Sequence, residues 1–275
     1  MFKNEKLIRL ALEEDIGPGD ITTDALIDKD RVAGGVIFAK ESLVLTGLEV
    51  AQEVFITLDP AMSFDTTFQD GDQVESGDEI LTVRGKLRAL LTGERTALNF
   101  LQRLSGIATL TRQYVSQVAG SSVRLTDTRK TLPGWRRLEK YAVKIGGAHN
   151  HRFGLYDGIL IKDNHIVACG RISEAVARVR SNQPHLLRIE VEVSDLNQVK
   201  EALENGVDVI MLDNMGTDEI REAVRLVDGK ALVEISGGIT LETLAEVANT
   251  GVDIISIGAL THSARAVDIS MRVVV

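Results

Sequence analysis

The sequence predicts an α/β protein in which a (β/α) barrel of around six strands follows a smaller α+β unit. Three observations carry that prediction. From about residue 122 the pattern alternates short apolar runs with amphipathic stretches, the rhythm of parallel strands separated by helices. Each of the six apolar runs ends in polar or glycine-bearing residues, which suits a barrel whose chemistry gathers at the carboxyl ends of its strands. No G-x-G-x-x-G follows a strand and no Walker A sequence is present, so the open nucleotide-binding sheets have no support.

In chain order, residues 1–15 read as an amphipathic helix, with Leu7, Ile8, Leu10, Ala11 and Leu12 set among charges. Short strand-like segments follow at Val36-Ile37-Phe38, Val44-Leu45, Met62-Ser63-Phe64 and Ile80-Leu81-Thr82-Val83. Gly34-Gly35, Asp70-Gly71-Asp72 and Ser76-Gly77-Asp78 read as the turns between them. The stretch from Asp70 to Gly85 has the punctuation of a carrier sandwich but no exposed Met-Lys tip, so a carrier role is not expected. A helical pattern runs from Ala89 to Val118 with a break expected near Ser105-Gly106. The barrel strands are predicted at 123–127, 158–161, 187–193, 207–212, 231–235 and 253–256. Helices are predicted at 135–145, 172–179, 196–203, 217–227 and 241–247.

Composition narrows the function. Hydrophobic residues at 44% and charged residues at 26% exclude disorder and collagen-like structure. Apolar runs such as Val209–Leu212 fall far short of the ~18 residues that cross a bilayer, and the single cysteine, Cys169, cannot form an internal disulfide. The expectation is a cytoplasmic protein with no membrane partner. The net charge of −9 argues against binding nucleic acid over the whole surface. Charge is uneven, however: from Arg124 to His165 nine basic residues face four acidic ones, a local +5 that also holds three of the five histidines. A cationic island in an acidic protein points to a small, multiply charged anion.

The chemistry concentrates at the strand ends. Asp127-Thr128-Arg129-Lys130 places a planar fork and a movable point charge just past a strand. In the next helix Arg136, Lys140 and Lys144 share one stripe, which reads as a solvated face. The segment from Gly146 to Ile166 brings His151, Arg152 and Lys162 toward one pocket. His149, His151 and His165 match no metal-ligand spacing, and the neighbouring cations oppose a metal. Lys162 could instead serve as a Schiff-base lysine in an aldolase. Glu190 and Glu192 share one face of a strand, and Asp213 ends the next; such carboxylates suit Mg²⁺, ribose hydroxyls or a developing positive charge. Ser236-Gly237-Gly238 and Ile257-Gly258-Ala259, after the last two strands, suggest a barrel phosphate site.

These residues also carry a resemblance. Segments 94–109, 127–166, 190–193, 211–214, 234–239 and 256–270, with the opening ALEEDIGPGDITTDAL, resemble the quinolinate phosphoribosyltransferases over nearly the whole chain. The resemblance implies an amino-terminal α/β sandwich, residues 1–106 with its linking helix, and an incomplete α/β barrel of six to seven strands, residues 107–275, whose tail packs back on the first domain. It implies transfer of phosphoribosyl from 5-phosphoribosyl-1-pyrophosphate to quinolinate with loss of CO₂, in NAD biosynthesis. Mg²⁺ would arrive with the substrate, and no organic cofactor is implied.

The same resemblance implies that Arg129, Lys130, His151, Arg152 and Lys162 bind carboxylates and phosphates. Arg95 would join from the partner of a homodimer or larger assembly with shared sites. Glu192 and Asp213 would face the ribose and the metal, and with Lys162 form the catalytic set. Ser236, Gly237, Gly238, Gly258 and Ala259 would hold the 5-phosphate, with Thr128 and Ile257 beside the substrates. Two positions depart from the pattern: Ala148, where glycine is frequent, and Arg265, where an apolar residue or proline is frequent. The near rival is a related phosphoribosyltransferase acting on another heterocyclic acid; a phosphometabolite sensor on a barrel is the non-enzymatic one.

Overall fold

The computed structural model describes residues 4–274, and the chain forms two compact units. The first contains everything up to Arg112, together with Leu132–Gly147 and the residues from Ala264 on. It opens with α1 (Glu5–Ile16), which buries Ile8 and Leu12; residues 1–3 of the expected helix lie outside the described residues. Then come α2 (Ile21–Leu26), β1 (Val32–Ala39), β2 (Leu43–Val44), α3 (Leu48–Leu58), β3 (Ser63–Asp65), β4 (Gln73–Val74), β5 (Glu79–Lys86) and α4 (Leu87–Gln117). The Asp20 carboxylate accepts the Thr23 N–H to start α2, and Asp70 accepts the Gly47 and Leu48 N–H groups to start α3. The carboxyl-terminal strand, Ile269–Val274, pairs antiparallel with β1, giving a four-stranded sheet in the order Ile269–Val274, β1, β5, β3. Ile37, Phe55, Ile80, Leu90, Leu98 and Leu101 are fully buried at its core.

Three local expectations need correction, all in this unit. Gly34 and Gly35 are not a turn but lie within β1, paired on both sides. A side chain on Gly35 would stand 3.2 Å from the Met271 sulfur, so the small residue admits the neighbouring strand. The helix α4 runs unbroken through Ser105-Gly106. There the Ser105 hydroxyl accepts the Thr46 N–H at 3.0 Å, and a Cβ on Gly106 would fall 2.0 Å from the Arg265 carbonyl oxygen. Close packing, not a helix end, selects these residues. Finally, α5 (Arg136–Gly146) does not present a solvated basic stripe. Lys140 is fully buried, as is Glu139, which accepts Arg103 Nη2 at 2.8 Å and the Leu132 N–H at 3.2 Å.

The second unit holds β6 (Arg124–Thr126), β7 (Ile159–Ile161), α6 (Asp163–Cys169), α7 (Ile172–Asn182), β8 (Ile189–Val193) and α8 (Leu196–Glu204). It continues with β9 (Val209–Asp213), α9 (Thr217–Val227), β10 (Leu232–Ser236), α10 (Leu241–Ala248), β11 (Ile254–Ser256) and α11 (Ala259–His262), which makes the carboxyl-terminal strand β12. All six strands are parallel, in the order β6-β11-β10-β9-β8-β7. The sheet therefore curls as a barrel left open between its two edges. Along one edge, His149 bridges Thr126 in parallel fashion, so a seventh, minimal stave extends the sheet. Val191, Ile210, Leu212 and Ile255 are wholly buried, as strands covered on both faces require. Among the described residues, no helix is long and apolar enough to cross a membrane.

The expected division at 106/107 follows chain order, whereas compaction gathers α5 and β12 with the amino-terminal residues. Those segments spend their hydrogen bonds there, β12 on β1 and Glu139 on Arg103.

Candidate active site

A cleft of about 620 Å³ opens at the carboxyl ends of the second unit's strands. Thr128, Arg129 and Lys130 enter it just after β6, Lys162 after β7, Glu192 from β8, Asp213 from the end of β9, and Ser236-Gly237-Gly238 from the end of β10. His151 and Arg152 reach it from the stave between α5 and β7. Eleven positions singled out in the sequence thus line one space. The other four do not. Ile257 is buried behind β11, and Gly258 and Ala259 lie beyond the lining. Their turn still supports the wall: a Cβ on Gly258 would stand 3.0 Å from Lys130 Cδ, and Thr261 Oγ1 donates to the Lys130 carbonyl at 2.8 Å. Arg95 is exposed on α4 and does not line the cleft.

Leu160, Met211, Asn214 and Ser256 complete the lining; Asn214 and Ser256 fall at polar strand ends legible in the sequence, whereas Leu160 and Met211 were missed. Period-two alternation carries the signal for two of them: Met211 shares a face with Asp213, and Leu160 with Lys162. Asn214 takes φ 53°, and its side chain occupies the space where a Cβ on Gly237 would fall, 2.3 Å from Oδ1. With φ of 95° and 64°, Gly237 and Gly238 turn sharply and need glycine. Such a turn after a strand exposes backbone N–H groups to an anion.

The cleft is strongly polarised. Lys162 Nζ donates to Glu192 Oε2 at 2.6 Å. Asp213 Oδ2 accepts from Asn214 Nδ2 at 3.0 Å. Arg152 donates through Nη1 to the Gly158 carbonyl at 2.9 Å. Burial, and then the nearby Arg129 charge, push the Arg152 guanidinium below its ordinary range, with Glu190 and Asp157 opposing. Arg129 keeps a buried Nε with no hydrogen-bond partner. Two mutually repelling forks and an unsatisfied donor make this wall of the cleft suited to an anion.

Beneath the cleft lies a cluster of which the sequence suggested only parts. His151 Nε2 stands 3.2 Å from Glu190 Oε2 and 3.4 Å from Glu234 Oε1. Glu234 is 2% exposed and was not foreseen, although a carboxylate inside the apolar run Leu232–Ser236 is itself a signal. Burial resists charge on His151, but the two carboxylates outweigh it and raise its proton affinity; burial also raises Glu190. With Nδ1 taken up as an acceptor, the proton that the cluster retains is shared between Nε2 and the two carboxylates. These three groups could by distance hold a metal ion, since their ligand atoms lie within 4.8 Å of one another. Against that, Nδ1 accepts the Arg152 N–H at 2.9 Å, which leaves the ring proton on Nε2, where a metal would have to bind.

Comparison with known proteins identifies the family. Residues 20–105 match the family model for the quinolinate phosphoribosyl transferase N-terminal domain, and residues 107–272 match that for the C-terminal domain. A probable nicotinate-nucleotide pyrophosphorylase [carboxylating] from Bacillus subtilis is 45% identical over 98% of this chain and 93% of its own length. One from Synechocystis is 47% identical over 96% of this chain and 90% of its own length. The crystal structure of NadC from Streptococcus pyogenes superposes with a TM-score of 0.95 at 44% identity, covering 98% of this chain and 96% of that one. The chain belongs to the quinolinate phosphoribosyl transferase family.

Proposed function

We infer that the protein is a quinolinate phosphoribosyltransferase (decarboxylating) of NAD biosynthesis, converting quinolinate and 5-phosphoribosyl-1-pyrophosphate into nicotinate mononucleotide, pyrophosphate and CO₂. The observation that carries this reading is the cleft itself, where Arg129, Lys130, Arg152 and Lys162 face Glu192 and Asp213 around one space.

Arg129 and Arg152 present the forks that match the carboxylates of the acid, and the unsatisfied Nε of Arg129 makes it ready for one. Lys130 and Lys162, as point charges, suit phosphate oxygens. The Ser236–Gly238 turn holds the 5-phosphate. The ring nitrogen of quinolinate then attacks the anomeric carbon as its bond to the pyrophosphate oxygen breaks, and positive charge grows on the ribose. Glu192 and Asp213 stabilise that charge more than the ground state. With the nitrogen quaternised, the C2–carboxylate bond breaks, its electron pair stays on C2 beside the cationic nitrogen, and C2 takes up a proton.

Mg²⁺ belongs to this reading as a companion of the pyrophosphate. The donor chemistry fits: Glu192 and Asp213 offer hard carboxylate oxygens from neighbouring strands, yet among the described residues they belong to no cluster of three that would form a cage of protein ligands. When bound, the ion would neutralise charge on the leaving group. A homodimer in which Arg95 completes the partner's cleft is part of the same proposal. So is a cytoplasmic setting, since one cysteine leaves no internal disulfide to protect.

The test sets quinolinate against nicotinate, following CO₂ and nicotinate mononucleotide. Nicotinate lacks the 2-carboxylate and would leave a half-buried guanidinium unpaired, so kcat/KM should favour quinolinate by roughly two to three decades. Comparable values would overturn the dicarboxylate assignment.

A further inference from the structure

The stave from His149 to Arg152 crosses the open side of the barrel, and each residue is fastened to a different point. His149 is held by its main chain to β6, donating to the Leu125 carbonyl at 2.8 Å and accepting the Asp127 N–H at 3.1 Å. Asp127, wholly buried, accepts Asn150 Nδ2 at 2.7 Å and the His151 N–H at 2.9 Å. His151 extends its ring inward to Glu190 on β8 and Glu234 on β10. Its other nitrogen accepts the Arg152 N–H, and the Arg152 guanidinium reaches the Gly158 carbonyl before β7.

Two carboxylates in a barrel interior are costly, and apolar residues would pack that space at less expense. Glu190 is 8% exposed and Glu234 only 2%; Glu190 Oε1 is buried without a hydrogen-bond partner, and Glu234 Oε1 makes only the 3.4 Å ion-pair contact with His151 Nε2. Neither Glu190 nor Glu234 lines the cleft, so neither touches substrate. What they touch is the ring of His151. A ring clamped between two carboxylates on one side and a backbone N–H on the other has its orientation and tautomer fixed.

We propose that Glu190 and Glu234 are positioning residues that act through His151, bracing the stave from inside the barrel so that Arg152 is held in the cleft ready for the acid substrate. On this view His151 serves as the link in that brace, with its N–H directed away from the substrate. The proposal rests on the reading of Arg152 as a carboxylate-binding residue.

The test is a double-mutant cycle. Glu190→Met removes the acceptor at similar bulk, whereas Glu190→Gln keeps an oxygen for Nε2–H. Glu190→Met should raise KM for quinolinate about tenfold or more and leave KM for 5-phosphoribosyl-1-pyrophosphate within about twofold. Glu190→Gln should restore KM to within about threefold of wild type. In an Arg152→Lys background the Glu190→Met effect should shrink below about threefold, because the link it supports is already lost. A tenfold effect of equal size in both backgrounds, or a Gln variant as impaired as the Met variant, would overturn the brace.

Hydrogen exchange gives a readout independent of turnover. Amides of residues 149–153 should exchange about tenfold faster in Glu190→Met, with the other strands unchanged. Unchanged exchange there would also overturn the proposal. If wild type itself failed to turn over quinolinate, the functional reading would fall, while the exchange comparison would still decide the brace.

Discussion

Arg129 and Lys162 reach the same cleft in opposite states: one holds a buried Nε without a partner, the other is already paired with Glu192 at 2.6 Å. An anion entering the site satisfies the first and competes for the second. Lys162→Ala and Arg152→Ala should therefore each lower kcat/KM by a hundredfold or more. Thermal stability should move by only a few degrees, since the Lys162 side chain is 45% exposed and its pair with Glu192 is partly solvated. A collapse of the melting temperature with activity retained would mark these residues as structural instead. Gly237 gives a complementary case. A Cβ there meets Asn214 Oδ1 at 2.3 Å and must adopt φ 95°. Gly237→Ala should cost about 1–3 kcal/mol locally and weaken 5-phosphoribosyl-1-pyrophosphate more than quinolinate, as separate KM values would report. Equal weakening of both substrates would remove the turn from the phosphate site.

Among the elements, the segment between α11 and β12 shows how Arg265 is accommodated. Arg265 donates to both oxygens of Glu41, through Nη1 at 2.8 Å and through Nη2, and the Asp268 N–H adds a third bond to the same carboxylate at 2.7 Å. The Arg265 hydrogen bonds hold Glu41 at about 2, below its ordinary 4.5, against the opposing effect of burial. A depressed folded-state value means stability that is present above about pH 4.5 and lost as the pH falls toward 2. With Glu41 28% and Arg265 72% exposed, solvent screens the pair, and Glu41→Gln should cost about 1 kcal/mol at pH 7. The difference in denaturation midpoint between variant and wild type should be smaller at pH 3 than at pH 7; an equal difference at both would mean that the charge contributes nothing. The elements differ in how far they could be read beforehand. All six barrel strands were legible because a buried parallel strand writes itself as an apolar run, and its polar end marks the cleft. Ser105-Gly106 misled because glycine in a helix signals either an end or a close approach, and only the Arg265 carbonyl tells which. Lys140 misled because spacing reveals that residues share a stripe, not which neighbour covers it. The cleft lining was legible as far as charged and glycine positions go, whereas Glu234 needed the third dimension: its partner His151 is 83 residues away in the chain.

At the scale of the molecule, Arg129, Lys130, Arg152 and Lys162 supply the cleft's positive wall, whereas Arg95, on α4 of the first unit, is exposed and is not among the lining residues. The dimer proposal gives this residue its role by carrying it to the cleft of a neighbouring copy, and mixing inactive subunits tests that directly. Arg95→Ala and Lys162→Ala homodimers should each be inactive, since each cleft lacks one cation. In a hybrid of the two, the cleft with intact Lys162 receives an intact Arg95 from the other chain, while the second cleft carries both lesions. One of the two sites is whole, and activity should return to about half that of wild type per hybrid dimer. If Arg95 served its own chain, every cleft in the hybrid would keep one lesion and activity would stay at the level of the parents. Hybrids verified by native mass spectrometry yet still inactive would refute the shared site, leaving Arg95 as a surface cation of α4.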